Sequence, residues 1–276
     1  MKKINYVKII LNLIGIILAI VWLVPIVYMI VVAFKPETVD STQVANWFIP
    51  PFTLENFKMV INHPQANVFR WVLNSGLVSI ITTACVLFLC TFAAFAFSRV
   101  RFVGKAFWFT IIMAGLMIPR EATLIPLFVQ FKDMNLLGTY FSIIAPAVAA
   151  PLGVSILKQF FDGIPEALFE AAKLDGCGWL RTIFTIVIPL SKTSLASLGI
   201  FIFLASWNDF LWPFISISDP KYVTIPVGLP LFKSQYLTGQ GLTMAASALL
   251  AAPIMIVFLA LQKHIVEGIA MTGVKG

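Results

Sequence analysis

Two short stretches of the chain bring together residue types able to make directed, charged contacts. The first reads Glu166-Ala-Leu-Phe-Glu170-Ala171-Ala172-Lys-Leu-Asp175-Gly176. Carboxylates four residues apart share one face of a helix and can accept charge-assisted hydrogen bonds. The alanines and the glycine leave that surface without bulk, so a partner's backbone could approach closely. The plain alternative is an amphipathic loop helix. The second stretch is Trp207-Asn208-Asp209. An aromatic plane beside an amide and a carboxylate suits a sugar, which has an apolar face and hydroxyl edges. Alternatively, Trp207 and Trp212 are interfacial belt residues, and Asp209 faces water or a neighbouring subunit. Neither stretch is catalytic, because no nucleophile, base or metal set converges. His63 and His264 are isolated, Cys85 and Cys90 share one apolar run, and Cys177 lies in the charged loop. The cysteines read as small hydrophobes rather than a disulfide framework.

The elements that must position these residues are written in the composition. The chain has 276 residues, 60% hydrophobic and 11% charged, against about 25% charged in soluble domains. Its apolar runs exceed a core helix and approach the roughly 20 residues needed to cross a bilayer. Only helices satisfy their own backbone over such uniform runs in lipid. Six segments are predicted: 9–34, 71–97, 104–126, 139–157, 195–214 and 242–261. The first is too long for a signal-peptide core and reads as a retained anchor. Arg120 and Glu121 fall within the third and are expected at its outer rim, where charges reach water. Pro146, Pro151 and Pro253 should kink their helices. One membrane domain over 1–276 is expected.

With the N-terminus inside, twelve of the nineteen basic residues fall on the inner side. Excess Lys and Arg mark cytoplasmic loops, so both termini are expected in the cytoplasm. The same bias explains the net charge of +7 without nucleic acid. Residues 35–70 then form an extracytoplasmic loop in which Thr53 could cap a short helix. Residues 158–192 form a cytoplasmic loop. In it, Pro165 to Leu174 should be helical, with Asp175 capping a second helix from Gly176 to Val187. A tail over 264–276 is also inside.

The run Glu170-Ala171-Ala172-x3-Gly176-x9-Ile186-x-Ile188-Pro189 resembles the EAA signature of ATP-binding-cassette importer permeases, with Ile188 where Leu is usual. Ala94-Phe-Ala-Phe-Ser-Arg99-Val-Arg101-Phe102, Trp207-Asn208-Asp209-Phe-Leu-Trp212-Pro213 and Gly268-Ile-Ala-Met-Thr-Gly273-Val274-Lys275-Gly276 resemble further motifs of carbohydrate importers. Together they span nearly the whole chain and are most similar to the smaller permease of maltose-type systems. The resemblance implies an all-α membrane protein: a six-helix importer permease bundle with a cytoplasmic coupling helix, in a bacterial inner membrane.

It further implies a second permease subunit, two cytoplasmic ATPases and an extracytoplasmic solute-binding protein. ATP and Mg belong to the ATPases; this chain has no phosphate-binding Gly-x4-Gly-Lys-Ser/Thr and is expected to bind no cofactor. Glu166, Glu170, Ala171, Ala172, Asp175 and Gly176 would contact an ATPase, as would Gly273, Val274, Lys275 and Gly276. Trp207, Asn208 and Asp209 are the solute-pathway candidates. An oligosaccharide is the expected solute. Glycerol-3-phosphate is the alternative, from the similar Pro189-Leu-Ser-Lys-Thr-x-Leu-Ala run. A secondary transporter would call for internal repeats and midplane charges, and the sequence shows no repeat.

Overall fold

The computed structural model describes residues 6–233 and 240–273, with side chains for 7–233 and 240–259. Every regular element among them is helical: α1 (Tyr6–Ala33), α2 (Glu55–Ile61), α3 (Val68–Arg99), α4 (Lys105–Ala114), α5 (Arg120–Asp133), α6 (Tyr140–Val148), α7 (Pro151–Asp162), α8 (Glu166–Leu174), α9 (Trp179–Thr182), α10 (Ile188–Leu190), α11 (Lys192–Trp207), α12 (Leu211–Ser216), α13 (Ile225–Gly228) and α14 (Gly241–Gly273). Short 3-10 turns and one π-helical turn at Ile183–Val187 link them. Among the described residues, helices α1, α3 and α14 are long and apolar enough to cross a membrane, and counting each of three bent pairs as one span brings the number up to six.

The breaks in those pairs correct the expectation of continuous helices. The segment expected over 104–126 turns by 98° between α4 and α5. Proline at 119 has no amide hydrogen and pushes its predecessor out of the helical region; Ile118 accordingly has ψ 116°. Arg120 and Glu121 therefore open a new helix. The fourth segment bends by 45° between α6 and α7, just before Pro151. The third pair turns by 83° between α10 and α11, and the expected fifth segment also ends early: α11 stops at Trp207, and α12 begins at Leu211. By contrast, α14 runs through Pro253 as one helix.

The chain divides into two compact units, residues 1–69 with 228–255 and residues 70–227 with 256–276. In the first unit, the expected short helix after Thr53 is α2, and the Thr53 hydroxyl accepts from the Glu55 amide at 3.1 Å. Asn56, fully buried on α2, donates to the carbonyls of Ala33 and Lys35 at 2.9 and 2.7 Å. It thereby satisfies carbonyls that the end of α1 leaves open.

The second unit carries both candidate stretches around a core built from α3, α7 and α11. Val86, Cys90, Ala94 and Phe97 recur at helical spacing on α3 and meet Val154, Leu157 and Phe161 on α7 and Leu198 on α11. Between lipid-embedded helices the attraction is van der Waals packing, which rewards small residues. Gly153 shows this: a Cβ there would lie 2.9 Å from Cys90 Sγ.

At the start of α6, Thr139 and Ser142 form a reciprocal cap, the Thr139 hydroxyl accepting from the Ser142 amide at 3.1 Å. Thr139→Ala is expected to cost about 1 kcal/mol, measurable as a modest fall in the melting temperature of the purified protein with its assembly unchanged.

Candidate functional site

The Glu166–Gly176 stretch is a helix for a local reason: eight of the nine residues from Glu166 to Leu174 are Ala, Leu, Glu or Lys, all strong helix formers. Its end differs from expectation. Asp175 is the last half-helical residue of α8 rather than the cap of a following helix. Gly176, at φ +71°, closes α8 by donating to the Lys173 carbonyl, while Cys177 donates to that of Ala172 at 2.9 Å. This paired closure requires a left-handed residue, normally glycine. The next helix starts at Trp179 after Gly178, and the expected continuous run to Val187 becomes one α turn followed by the π turn.

The residues of the stretch divide between two faces. Ala172 is buried at 5% exposure, so it packs inward rather than contributing to a bare outer surface. Glu170, Ala171, Asp175 and Gly176 are exposed, and a Cβ on Gly176 would meet nothing within 4 Å. Leu174 is 90% exposed and Leu180 64%. Glu166 turns back to its own chain, where its carboxylate accepts from Arg99 at 2.6 Å. The same guanidinium donates to the carbonyls of Phe161 and Ile164 and lies 4.2 Å from the centroid of the Phe169 ring. Hydrogen bonds to charged groups contribute about 1.5–3 kcal/mol each. The Arg99–Glu166 contact counts for less because the Glu166 side chain is 69% exposed.

The second stretch sits at the α11–α12 break. Trp207 is 6% exposed, stacked on Phe203 with ring centroids 5.7 Å apart. Gly76 of α3 lies opposite, its Cβ position 4.0 Å from the indole. Trp212 is equally buried and donates to the Ser142 carbonyl at 2.7 Å. Both tryptophans thus pack within the fold, and neither offers a free plane. Asn208 is exposed and returns its amide to the Leu204 carbonyl at 2.8 Å. Asp209 lies 3.7 Å from Arg120, the first residue of α5. Two broken helices therefore place one acid and one base side by side.

The model of the family described as "Binding-protein-dependent transport system inner membrane component" matches residues 86–271. The chain belongs to this family. As such a permease, it is 31% identical to the arabinooligosaccharides transport system permease protein AraQ of Halalkalibacterium halodurans, over 91% of each chain. It is 32% identical to the trehalose/maltose transport system permease protein MalG of Thermococcus litoralis, over 98% of each. In fold, it resembles a chain in the crystal structure of a bacterial ABC transporter involved in the import of the acidic polysaccharide alginate. The TM-score is 0.78 at 19% identity, covering 95% of this chain and 98% of that one. The fold is thus the all-α fold of ABC importer permeases.

The permease carries site features that residue-by-residue reading had not singled out. Leu174 and Leu180, on either side of the Gly176 turn, are exposed apolar side chains that no sequence motif marks. Arg99 stood in a motif of the second span, but its partners are 62 to 67 residues away in sequence. Of the C-terminal group, Gly273 ends α14, whereas Val274, Lys275 and Gly276 lie outside the described residues. Among the described residues no His, Cys, Asp and Glu group is placed to hold a metal.

Proposed function

We propose that the permease forms half of the pathway of an ATP-driven oligosaccharide importer and that α8 is its contact with an ATP-hydrolysing subunit. The observation that carries this reading is the outer face of α8. Leu174 stands almost fully in the open beside Glu170, Asp175 and an unobstructed Gly176. Exposed apolar side chains clustered within a charged rim are a mark of a protein-binding surface. Glu170 supplies the charge for a directed hydrogen bond, and the bare glycine permits close backbone approach. Closure of two ATPases beneath would move α8 as a rigid body and switch the pathway between two states. Gly273–Gly276 would touch the same ATPases.

A second permease completes the pathway, and an extracytoplasmic binding protein delivers the solute. The oligosaccharide assignment draws on what AraQ and MalG are named for transporting, with Asn208 and Asp209 as the groups on this chain that would meet hydroxyls. The decisive measurement is which solute the cognate binding protein retains. Retention of a glycerol phosphate in place of an oligosaccharide would overturn that assignment.

The proposed orientation puts α8 in the cytoplasm and the α1–α3 connection outside. In intact cells, Thr42→Cys should react with an impermeant thiol reagent, while native Cys177 should stay unlabelled. Labelling of Cys177 without Thr42→Cys would reverse the orientation.

A further inference from the structure

The α7–α8 corner is only three residues long, Gly163-Ile164-Pro165. A corner containing glycine can hinge. If it hinged, a push on α8 would be absorbed locally and would not reach the spans. The structure instead fills it with one side chain from another helix. Arg99, the last residue of α3, is 11% exposed. One guanidinium nitrogen donates to the carbonyls of Phe161, in the last turn of α7, and of Ile164, in the corner itself. The other reaches Glu166 in the first turn of α8. The guanidinium plane meets the Phe169 ring one turn further on.

The neighbouring contacts repeat the same join. Ser98 donates to Asp162 at 2.7 Å, and Lys158 donates to the other carboxylate oxygen of Asp162 at 2.7 Å. Lys105 in turn donates to the carbonyls of Ser98 and Val100 at the end of α3.

We propose that Arg99 is a positioning residue that locks the α7–α8 corner to the end of α3, so that displacement of α8 is carried into the spans. The proposal rests on the reading of α8 as the ATPase contact. The chemistry explains why arginine stands here. A planar fork of five donors can serve two carbonyls, a carboxylate and an aromatic face at once. Lysine is a point charge on a flexible stem and would hold Glu166 or the carbonyls, but not all of them with the ring.

The test uses the complete importer, both permeases and both ATPases, with Cys85, Cys90 and Cys177 of this chain replaced by alanine. Spin labels on Ile80→Cys in α3 and Lys173→Cys in α8 report the distance between the two helices, without nucleotide and after trapping with Mg-ATP and vanadate. With Arg99 present, a single narrow distance should persist through trapping. With Arg99→Gln, the distribution should widen and shift on trapping while ATP hydrolysis continues. Uptake per ATP should fall about tenfold, within the range for residues that couple two sites without touching either ligand.

An unchanged distance distribution in Arg99→Gln overturns the lock. Should Arg99→Gln fail to assemble, Arg99→Lys must show the same widening, and its absence overturns the lock equally. Cross-linking of native Cys177 to the ATPase, in the otherwise unmodified importer, tests the underlying reading separately. Failure of that cross-link removes the ATPase contact while leaving the distance measurement to judge the lock.

Discussion

Gly176→Leu is expected to cut solute uptake by the assembled importer roughly tenfold, equivalent to about 1.4 kcal/mol in coupling, with insertion preserved. Two effects act at this position and can be separated. The first is conformational: φ is +71°, and a side chain in the left-handed region costs roughly 1–2 kcal/mol. The second is steric toward a partner only, because an added Cβ meets nothing of this chain within 4 Å. Asparagine tolerates the left-handed closure but still fills the open space. Gly176→Asn should therefore restore the end of α8 yet leave uptake measurably reduced. Uptake by Gly176→Asn equal to that of the unsubstituted importer would make Gly176 a helix terminator and nothing more. Amounts of assembled complex must be measured alongside, since the reading predicts that both variants assemble normally.

The contrast between α8 and the spans shows which features a sequence makes legible. Helix α8 could be drawn to within a residue because its signals are local: a proline before it, strong helix formers through it and a glycine after it. The all-helical, membrane-spanning class was equally accessible, since apolar length reports the thickness of the hydrocarbon. The directions of the spans were not. Hydropathy averages over a bend, so the 98° turn at Pro119 and the early end of α11 leave no mark on it. Pro253 shows the limit from the other side: a proline marks a possible break, and packing decides whether it becomes one. Arg99 was hidden for a related reason, because its role depends on three carbonyl and carboxylate partners brought in by α7 and α8. Asp209 was visible as a costly charge, but its neighbour Arg120 becomes apparent only once both helices are broken.

Trp207 and Asp209, adjacent in sequence apart from Asn208, should respond to mutation in opposite ways. The Trp207 indole is held between Phe203 and the face of α3 at Gly76. Trp207→Ala removes a buried ring and leaves a cavity, a change that costs roughly 3–5 kcal/mol. The expected result is a large loss of assembled protein in the membrane, with uptake per remaining complex near normal. Asp209 is the mirror case. Its side chain keeps 20% exposure and faces Arg120 at 3.7 Å, so Asp209→Asn preserves volume and packing while removing a charge from the place where two helices break. Normal abundance with reduced uptake per complex is expected. Arg120→Gln should reproduce that phenotype, since it breaks the same pair from the other side. Uptake normalised to purified complex separates the cases. Unchanged normalised uptake in both Asp209→Asn and Arg120→Gln would take this pair out of the solute pathway and leave Asn208 as the remaining polar candidate of the stretch.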